Sequence, residues 1–332
     1  TNGVPWLLLL LLITAVLVCT ADDLLVLLES DAAVLHHLLH AWAPLDWEMG
    51  TPPCLWPGVT CAVIDVDGTS FFSSKQKRNV VKSLTLRKTC DFIADDEVCE
   101  IPAMIGELQY IESLYLAGND FHGHIPAEIG DLKFLKHLFL NTNGLWGEIP
   151  DSIGNLHNLE KLHLNNNKLS GHIPASLANA VHLHQLELQN NELSGPLPPE
   201  LGSLKELVQL DLNDNELEGE IPTSYGHLSH LHRLDLHSNL LEGTIPEHLF
   251  DSHMSQLTMV DLSTNKFSGH MPMGVCHMSN LASLNLDGNE EIIGSVPNCK
   301  IEHGIHAHEH NRARCQEQLR PFCKSLKSYN EL

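Results

Sequence analysis

LEKLHLNNNKLSGHIPASLANAVH, residues 159–182, reveals the architecture, because LVQLDLNDNELEGEIPTSYGHLSH, residues 207–230, repeats its apolar pattern two periods later. Aligned on itself, the chain has LxxLxLxxNxL starts at Ile111, Leu135, Leu159, Leu183, Leu207, Leu231, Leu257 and Leu281. Six of the seven intervals are 24 residues and one is 26. A degenerate ninth copy precedes them at Val81, Leu84 and Leu86. Each copy also carries an apolar residue followed by proline, from Ile101-Pro102 to Val296-Pro297. A constant period of this kind marks a solenoid, in which each coil touches only its neighbours.

The physics of one copy is short. The LxL core alternates in and out, which predicts a brief strand with both leucines pointing inward. An asparagine follows at Asn119, Asn143, Asn167, Asn191, Asn215, Asn239, Asn265 and Asn289. Its amide both donates and accepts, so stacked copies satisfy the backbone groups of the bend after each strand. Proline then stops strand pairing and turns the chain across the opposite side. One copy cannot bury its own apolar face, so stability comes from stacking, and both ends need a lid.

Residues 5–20, PWLLLLLLITAVLVCT, have the length of a signal-peptide core, and Ala21 with Cys19 suits the small-residue cleavage rule. The expected organisation is a signal peptide over 1–21, an N-terminal cap over 22–80, repeats over 81–298 and a C-terminal cap over 299–332. In the first cap, LLVLLESDAAVLHHLLHAW has helical apolar spacing. No second apolar run of spanning length follows, so the expected destination is extracellular, a cell-wall or apoplast-like space, with no transmembrane segment in the mature chain. Cys19 leaves with the leader, and the remaining eight cysteines suit disulfides in an oxidising compartment. The expected pairs are Cys54 with Cys61, Cys90 with Cys99, Cys276 with Cys299 and Cys315 with Cys323. Cys276 and Cys299 lie nearly one coil apart, which at about 5 Å between strands is within bonding range.

Composition narrows the function. There are 42 acidic side chains against 19 basic ones, with 23 His and a formal charge of -23. Nucleic acid is excluded as a partner, because phosphate binding needs clustered Lys and Arg. The wealth of Leu, Ile and Val excludes a disordered chain. An aromatic content of only 5% suits thin repeated layers better than one bulky core.

The repeats, together with CLWPGVTC at residues 54–61, resemble plant-type leucine-rich repeat proteins, including leucine-rich repeat receptor ectodomains and polygalacturonase-inhibiting proteins. The resemblance covers nearly all of residues 24–323. It implies an α/β leucine-rich repeat solenoid, a right-handed curved superhelix of about nine 24-residue repeats with disulfide-bonded caps at both ends. It also implies that the x positions of LxxLxLxx line a concave binding face. The position between the two strand leucines reads Thr85, Tyr115, Phe139, His163, Glu187, Asp211, Asp235, Asp261 and Asn285. This column divides into an aromatic half and an acidic half. Four carboxylates about 5 Å apart repel one another and raise at least one pKa, with Lys161, His184, His232, Arg233 and His237 nearby to offset part of the charge. Beside them run Asn141, Asn165, Gln189 and Asn213, and then Thr142, Asn166, Asn190 and Asp214. Rows of amides and hydroxyls suit hydrogen bonds to a peptide or a sugar, but any exposed strand surface carries them.

HExxH, GxSxG, Gly-rich phosphate loops and kinase signatures are missing from the sequence. The expectation is therefore a non-enzymatic chain without a cofactor. Alternating imidazoles at His303, His306, His308 and His310 could hold a transition metal, but no cysteine or acid stands at a fixed ligand spacing beside them, so no metal site is expected. Histidines with pKa near 6.5 make the surface charge adjustable between about pH 7 and pH 5. Two features set the chain apart from the proteins it resembles: it has no Asn-x-Ser/Thr acceptor, and it is strongly acidic. The expected function is a secreted binding protein that recognises a protein or peptide, basic in character, on the strand face. Its candidate contacts are Tyr115, Phe139, His163, Glu187, Asp211, Asp235, Asp261, Gln189, Asn213, Arg233 and His237. The alternatives are an inhibitor of secreted cell-wall-degrading hydrolases and a cation-binding extracellular matrix component.

Overall fold

A computed structural model of the chain describes residues 29–42, 52–66, 76–86 and 99–293. The expected leader, the histidines at 303–310 and the Cys315–Cys323 pair lie outside these residues.

The first described element is helix α1, Glu29–Trp42. Val34, Leu35 and Leu38 sit on one helical face and are fully buried. The buried Asp31 on the same helix accepts the backbone N–H of Val81 at 2.8 Å, which ties the helix to the first copy. A short 3-10 turn, Pro53–Leu55, follows, and Cys54 is bonded to Cys61 with 5.7 Å between Cα atoms. Strand β1, Val59–Val66, pairs antiparallel with β2, Gln76–Thr85. Cys99 and Cys276 are also disulfide-bonded, and the partners expected for them, Cys90 and Cys299, are outside the described residues.

Each later copy adds one three-residue strand at its LxL core. Numbered along the chain, these are β3 (Ser113–Tyr115), β4 (His137–Phe139), β6 (Lys161–His163), β8 (Gln185–Glu187), β10 (Gln209–Asp211), β12 (Arg233–Asp235), β14 (Met259–Asp261) and β16 (Ser283–Asn285). With β1 and β2 they form a ten-stranded sheet, ordered as in the sequence and parallel from β2 onward. The nine strands β2 to β16 of this sheet correspond to the nine copies counted in the sequence.

A second sheet was not legible from the pattern. From the copy ending at Pro150 onward the chain pairs again ahead of the proline, in β5 (Trp146–Glu148), β7 (Lys168–Gly171), β9 (Glu192–Pro196), β11 (Glu216–Gly219), β13 (Leu240–Thr244), β15 (Lys266–His270) and β17 (Glu291–Ile293). These segments are short and six of the seven contain glycine, which weakens strand character in isolation. Gly171, for one, takes the left-handed φ of 74°. After the prolines from Pro102 to Pro272 each coil makes 3-10 turns rather than an α-helix, two of them after Pro246 (Glu247–Phe250 and Ser252–Met254) and one in the other coils, as in Ala127–Asp131, where the N–H of Ile129 bonds to Pro126 O at 3.1 Å. Five residues are too few to nucleate an α-helix.

The core is a stack of near-identical layers. Leu159, Leu162, Leu164, Leu169, Ile173 and Leu177 of one coil are all essentially buried, as are their equivalents in the flanking coils. Full burial of each such side chain stabilises by about 1.5–3 kcal/mol. Some layers deviate: Phe121 and Phe267 are fully buried where other coils have leucine, and Tyr225 takes the place of an aliphatic residue, lies fully buried, and donates its hydroxyl to Pro198 O at 3.3 Å. Close stacking also favours the glycine found in most of the 3-10 turns, although Ala178 and Phe250 stand at the same place in two coils. A Cβ on Gly154 would stand 2.4 Å from the carbonyl oxygen of Ser176 in the next coil.

The recurrent asparagine forms the ladder its chemistry implies. Asn191 Nδ2 donates to Leu188 O at 2.9 Å and to Leu164 O of the preceding coil at 3.1 Å, while its Oδ1 accepts the N–H of Leu169 at 3.0 Å. Asn143, Asn167, Asn215, Asn239, Asn265 and Asn289 make the same kinds of contact. Each copy thereby satisfies buried backbone groups of its neighbour, which no single copy could do.

Candidate functional site

In the three-residue strands of the large sheet the central leucine or valine is buried and the residues on either side face outward. The parallel register then aligns Tyr115 with Phe139, His163, Glu187, Asp211, Asp235, Asp261 and Asn285. Seven of the residues singled out in the sequence therefore share one column. Gln189, Asn213 and His237 lie two residues further along their coils, and Arg233 lies two residues before Asp235 on β12.

The first half of the column is a ring platform. Tyr115 and Phe139 stack with centroids 4.8 Å apart and planes 19° from parallel, and His163 meets Phe139 edge-on at 4.3 Å. His137 flanks both rings at 6.4 and 6.3 Å. It belongs to the column Ser113, His137, Lys161, Gln185, Gln209, Arg233, which sequence reading did not treat as a set although the strand period contains it. Burial, with Lys161 and Lys136 close by, holds His137 below the ordinary imidazole value. A second ring pair, Tyr110 and Phe134, stacks at 5.9 Å, with Lys82 Nζ 5.7 Å from the Phe134 centroid. Lys82 donates to Glu112 at 2.7 Å, which keeps that carboxyl below its usual range.

The second half is a hydrogen-bonded charge network. Asp211 and Asp235 are nearly buried, at 4% and 2% exposure. Arg233 spans them, donating Nε–H to Asp211 Oδ1 and Nη2–H to Asp235 Oδ2, both at 2.7 Å. Gln209 Nε2 donates to Asp211 Oδ2 at 2.7 Å and to Glu187 Oε1 at 3.1 Å. His237 Nδ1 lies 2.6 Å from Asp235 Oδ1, and Asp261 accepts from Ser263 Oγ at 2.6 Å and from Asn285 Nδ2 at 3.0 Å. Burial pushes the Asp235 carboxyl above its ordinary value, and the hydrogen bond from His237 draws it back only in part. The repulsion expected between stacked carboxylates does contribute, through Asp261, but burial leads it. Burial also opposes the charged form of His237, yet its hydrogen bond to Asp235 outweighs that and raises the imidazole pKa.

The other basic residues expected beside the carboxylates are placed elsewhere. His184 approaches Glu206 at 4.0 Å, and the imidazole of His232 meets His230 O at 2.8 Å. Asp235, His237 and Asp261 present ligand atoms within 4.8 Å of one another, a donor set a divalent cation could use. Arg233, Ser263 and Asn285 already satisfy the two carboxylates, and the guanidinium supplies positive charge there.

Between the two halves the polar atoms are less well served. His163 Nε2, Asn165 Oδ1 and Gln189 Oε1 are shielded from solvent and make no hydrogen bond, Glu187 Oε1 standing 3.6 Å from the imidazole nitrogen. Burial holds His163 below the usual imidazole value. The row Thr142, Asn166, Asn190, Asp214 has a different origin. All four residues, with Ser238 and Thr264, take left-handed φ of 53–58°, where Asn and Asp are favoured for backbone reasons alone.

Residues 110–132, 134–156, 158–180, 182–204, 206–228 and 230–251 each match the Leucine Rich Repeat family. No curated protein sequence matches the chain. Among solved structures it is similar to the plant peptide hormone receptor RGFR1 in complex with RGF2, at 37% identity over 60% of this chain and 31% of that one, with a TM-score of 0.58. It is similar to a TDR receptor at 34% identity over 65% of this chain and 38% of that one, TM-score 0.58. A plant ice-binding protein aligns at 26% identity over 82% of this chain and 90% of that one, TM-score 0.59. The chain thus spans less than two fifths of those receptors and most of the ice-binding protein. No helix among the described residues is long and apolar enough to cross a membrane. The chain is a leucine-rich repeat protein of the plant type, similar to plant receptor ectodomains.

Proposed function

We propose that this chain is an extracellular recognition module without catalytic activity, which binds an extended peptide or protein segment across the outward, concave face of its ten-stranded sheet. The observation that carries the reading is the single column in which stacked rings at Tyr115 and Phe139 pass into the carboxylates Glu187, Asp211, Asp235 and Asp261. Apolar anchors beside a field of one sign give a ligand both affinity and direction. Arg233 and His237 neutralise only part of the acidic half, so the ligand is basic at that end. Support also comes from the neighbours, since RGFR1 is a peptide hormone receptor and was solved with RGF2. The test is selection of random linear peptides on the purified chain, followed by calorimetry. Binding should be lost in Phe139→Ser with Asp211→Asn and retained in a variant of the opposite side such as Ser152→Ala. Equal binding by all three proteins rejects the strand face as the site.

A second reading rests on the ice-binding neighbour, which matches this chain over most of its length. Thr142, Asn166, Asn190, Asp214, Ser238 and Thr264 present one short polar side chain per coil in one backbone conformation, about 4.8 Å apart if they keep the strand spacing. Such an array would adsorb to an ordered water lattice. Thermal hysteresis and recrystallisation assays on the purified chain decide it, and ordinary freezing behaviour in both removes this reading.

A further inference from the structure

Three solvent-shielded polar atoms without partners, His163 Nε2, Asn165 Oδ1 and Gln189 Oε1, lie on two adjacent coils. Asn165 is only 8% exposed as a whole residue. Buried polar atoms without partners are few in native proteins and carry a free-energy cost, so a local group of them marks a place where something external donates. Three equivalents on later coils make hydrogen bonds within the chain. Asn213 Nδ2 donates to Asp214 at 2.7 Å, His237 pairs with Asp235, and Ser263 donates to Asp261. Asn165 and Gln189 lie at the junction between the ring platform and the carboxylates.

Two of the three atoms are amide carbonyl oxygens, which can only accept. A ligand that completes them brings N–H groups, and a peptide main chain supplies these at a regular spacing. Resting on the peptide-binding reading above, we propose that Asn165 and Gln189 set the register of the ligand by accepting its main-chain N–H groups. That register seats an apolar side chain on Tyr115 and Phe139 and a basic one against Asp211 and Asp235. The dimensions fix the spacing. From β4 to β10 is three strand steps, about 14 Å, and to β12 four steps, about 19 Å, at roughly 4.8 Å per step. An extended chain rises about 3.4 Å per residue. The ligand class is thus a linear peptide with an aromatic or large aliphatic residue about four to six positions from an Arg or Lys.

The test uses random 12-residue linear peptides displayed on phage and selected on the whole purified chain. Recovered sequences should share the apolar-to-basic spacing. Resynthesised peptides should bind Asn165→Leu with Gln189→Met at least tenfold more weakly than the parent, while the unfolding midpoint of that variant stays level or rises, because the variant removes orphaned acceptors rather than contacts. Peptides without the spacing, or affinity unchanged in the double variant, overturn the register proposal, and the broader reading survives in that case if Phe139→Ser still abolishes binding. Selected peptides indifferent to Phe139→Ser and Asp211→Asn alike, or no enrichment at all, overturn both.

Discussion

Arg233 donates its Nε–H to Asp211 across the sheet at 2.7 Å, from β12 to β10, and the same guanidinium reaches Asp235 on its own strand. Burial works against the charged guanidinium, yet these carboxylates raise its pKa further. The consequence is structural as well as electrostatic. Arg233→Met would leave nearly buried Asp211 without its cation and nearly buried Asp235 with His237 alone. Removing one partner of a fully buried pair costs about 3–5 kcal/mol; since Arg233 is 36% exposed, screening reduces the expected loss to about 2 kcal/mol. Urea unfolding measures it, and Asp211→Asn with Asp235→Asn in the Arg233→Met background should recover most of the loss. A double background no more stable than Arg233→Met alone would contradict the account.

The asparagine ladder predicts an asymmetry along the stack. Asn239 is nearly buried and its amide serves Leu212 O, Leu236 O and the N–H of Leu217. Asn239→Ala strands these backbone groups, at about 1–3 kcal/mol each in the worst case, so a loss of at least about 3 kcal/mol is expected. Hydrogen exchange should localise it to the coils on either side, because each coil depends on its neighbours. Uniform loss of protection across all nine copies would argue against nearest-neighbour coupling.

Thr142 and Thr264 hold φ of 58° and 53°, a region costly to β-branched side chains. Asn166 and Asn190 occupy the same place in their coils without that cost. Thr142→Asn should therefore stabilise the chain by about 1 kcal/mol, visible as a higher denaturant midpoint with an unchanged slope. A lower midpoint would mean that the threonine makes a compensating contact.

Two histidines of the face should respond to pH in opposite directions. His163 is held below the ordinary value by burial, so the stability it confers as a neutral ring is present above about pH 6.5 and is lost as pH falls through that value toward its folded pKa. His237 is raised by its contact with Asp235. Its contribution is fully present below about pH 6.5 and is lost as pH rises through its folded pKa. NMR titration of the two imidazoles measures this directly. Finding His237 at or below the unfolded value would remove the Asp235 couple.

A period of 24 residues, leucines at fixed offsets, a recurrent asparagine and an apolar-proline pair are local and repeated, and that is why copy number, sheet order, inward leucines and the purpose of the asparagine could all be read from residue order. Tyr115 to Asp261 fell into one column for the same reason, since a fixed period and a parallel register put equivalent positions side by side. Other features depend on neighbours in space. The second sheet needs the adjacent coil to supply its hydrogen bonds, and Gly154 is required by a carbonyl 22 residues away in the chain. The partnering of Arg233 with Asp211, the raised Asp235 and the orphaned atoms at His163, Asn165 and Gln189 follow from which side chains reach which across about 5 Å of strand spacing. The repeat, its layers and the face that carries variable residues follow from residue order alone. Which residues on that face are satisfied and which are left wanting a partner is set by the folded stack, because hydrogen bonding depends on distance and direction between coils, which residue order does not contain.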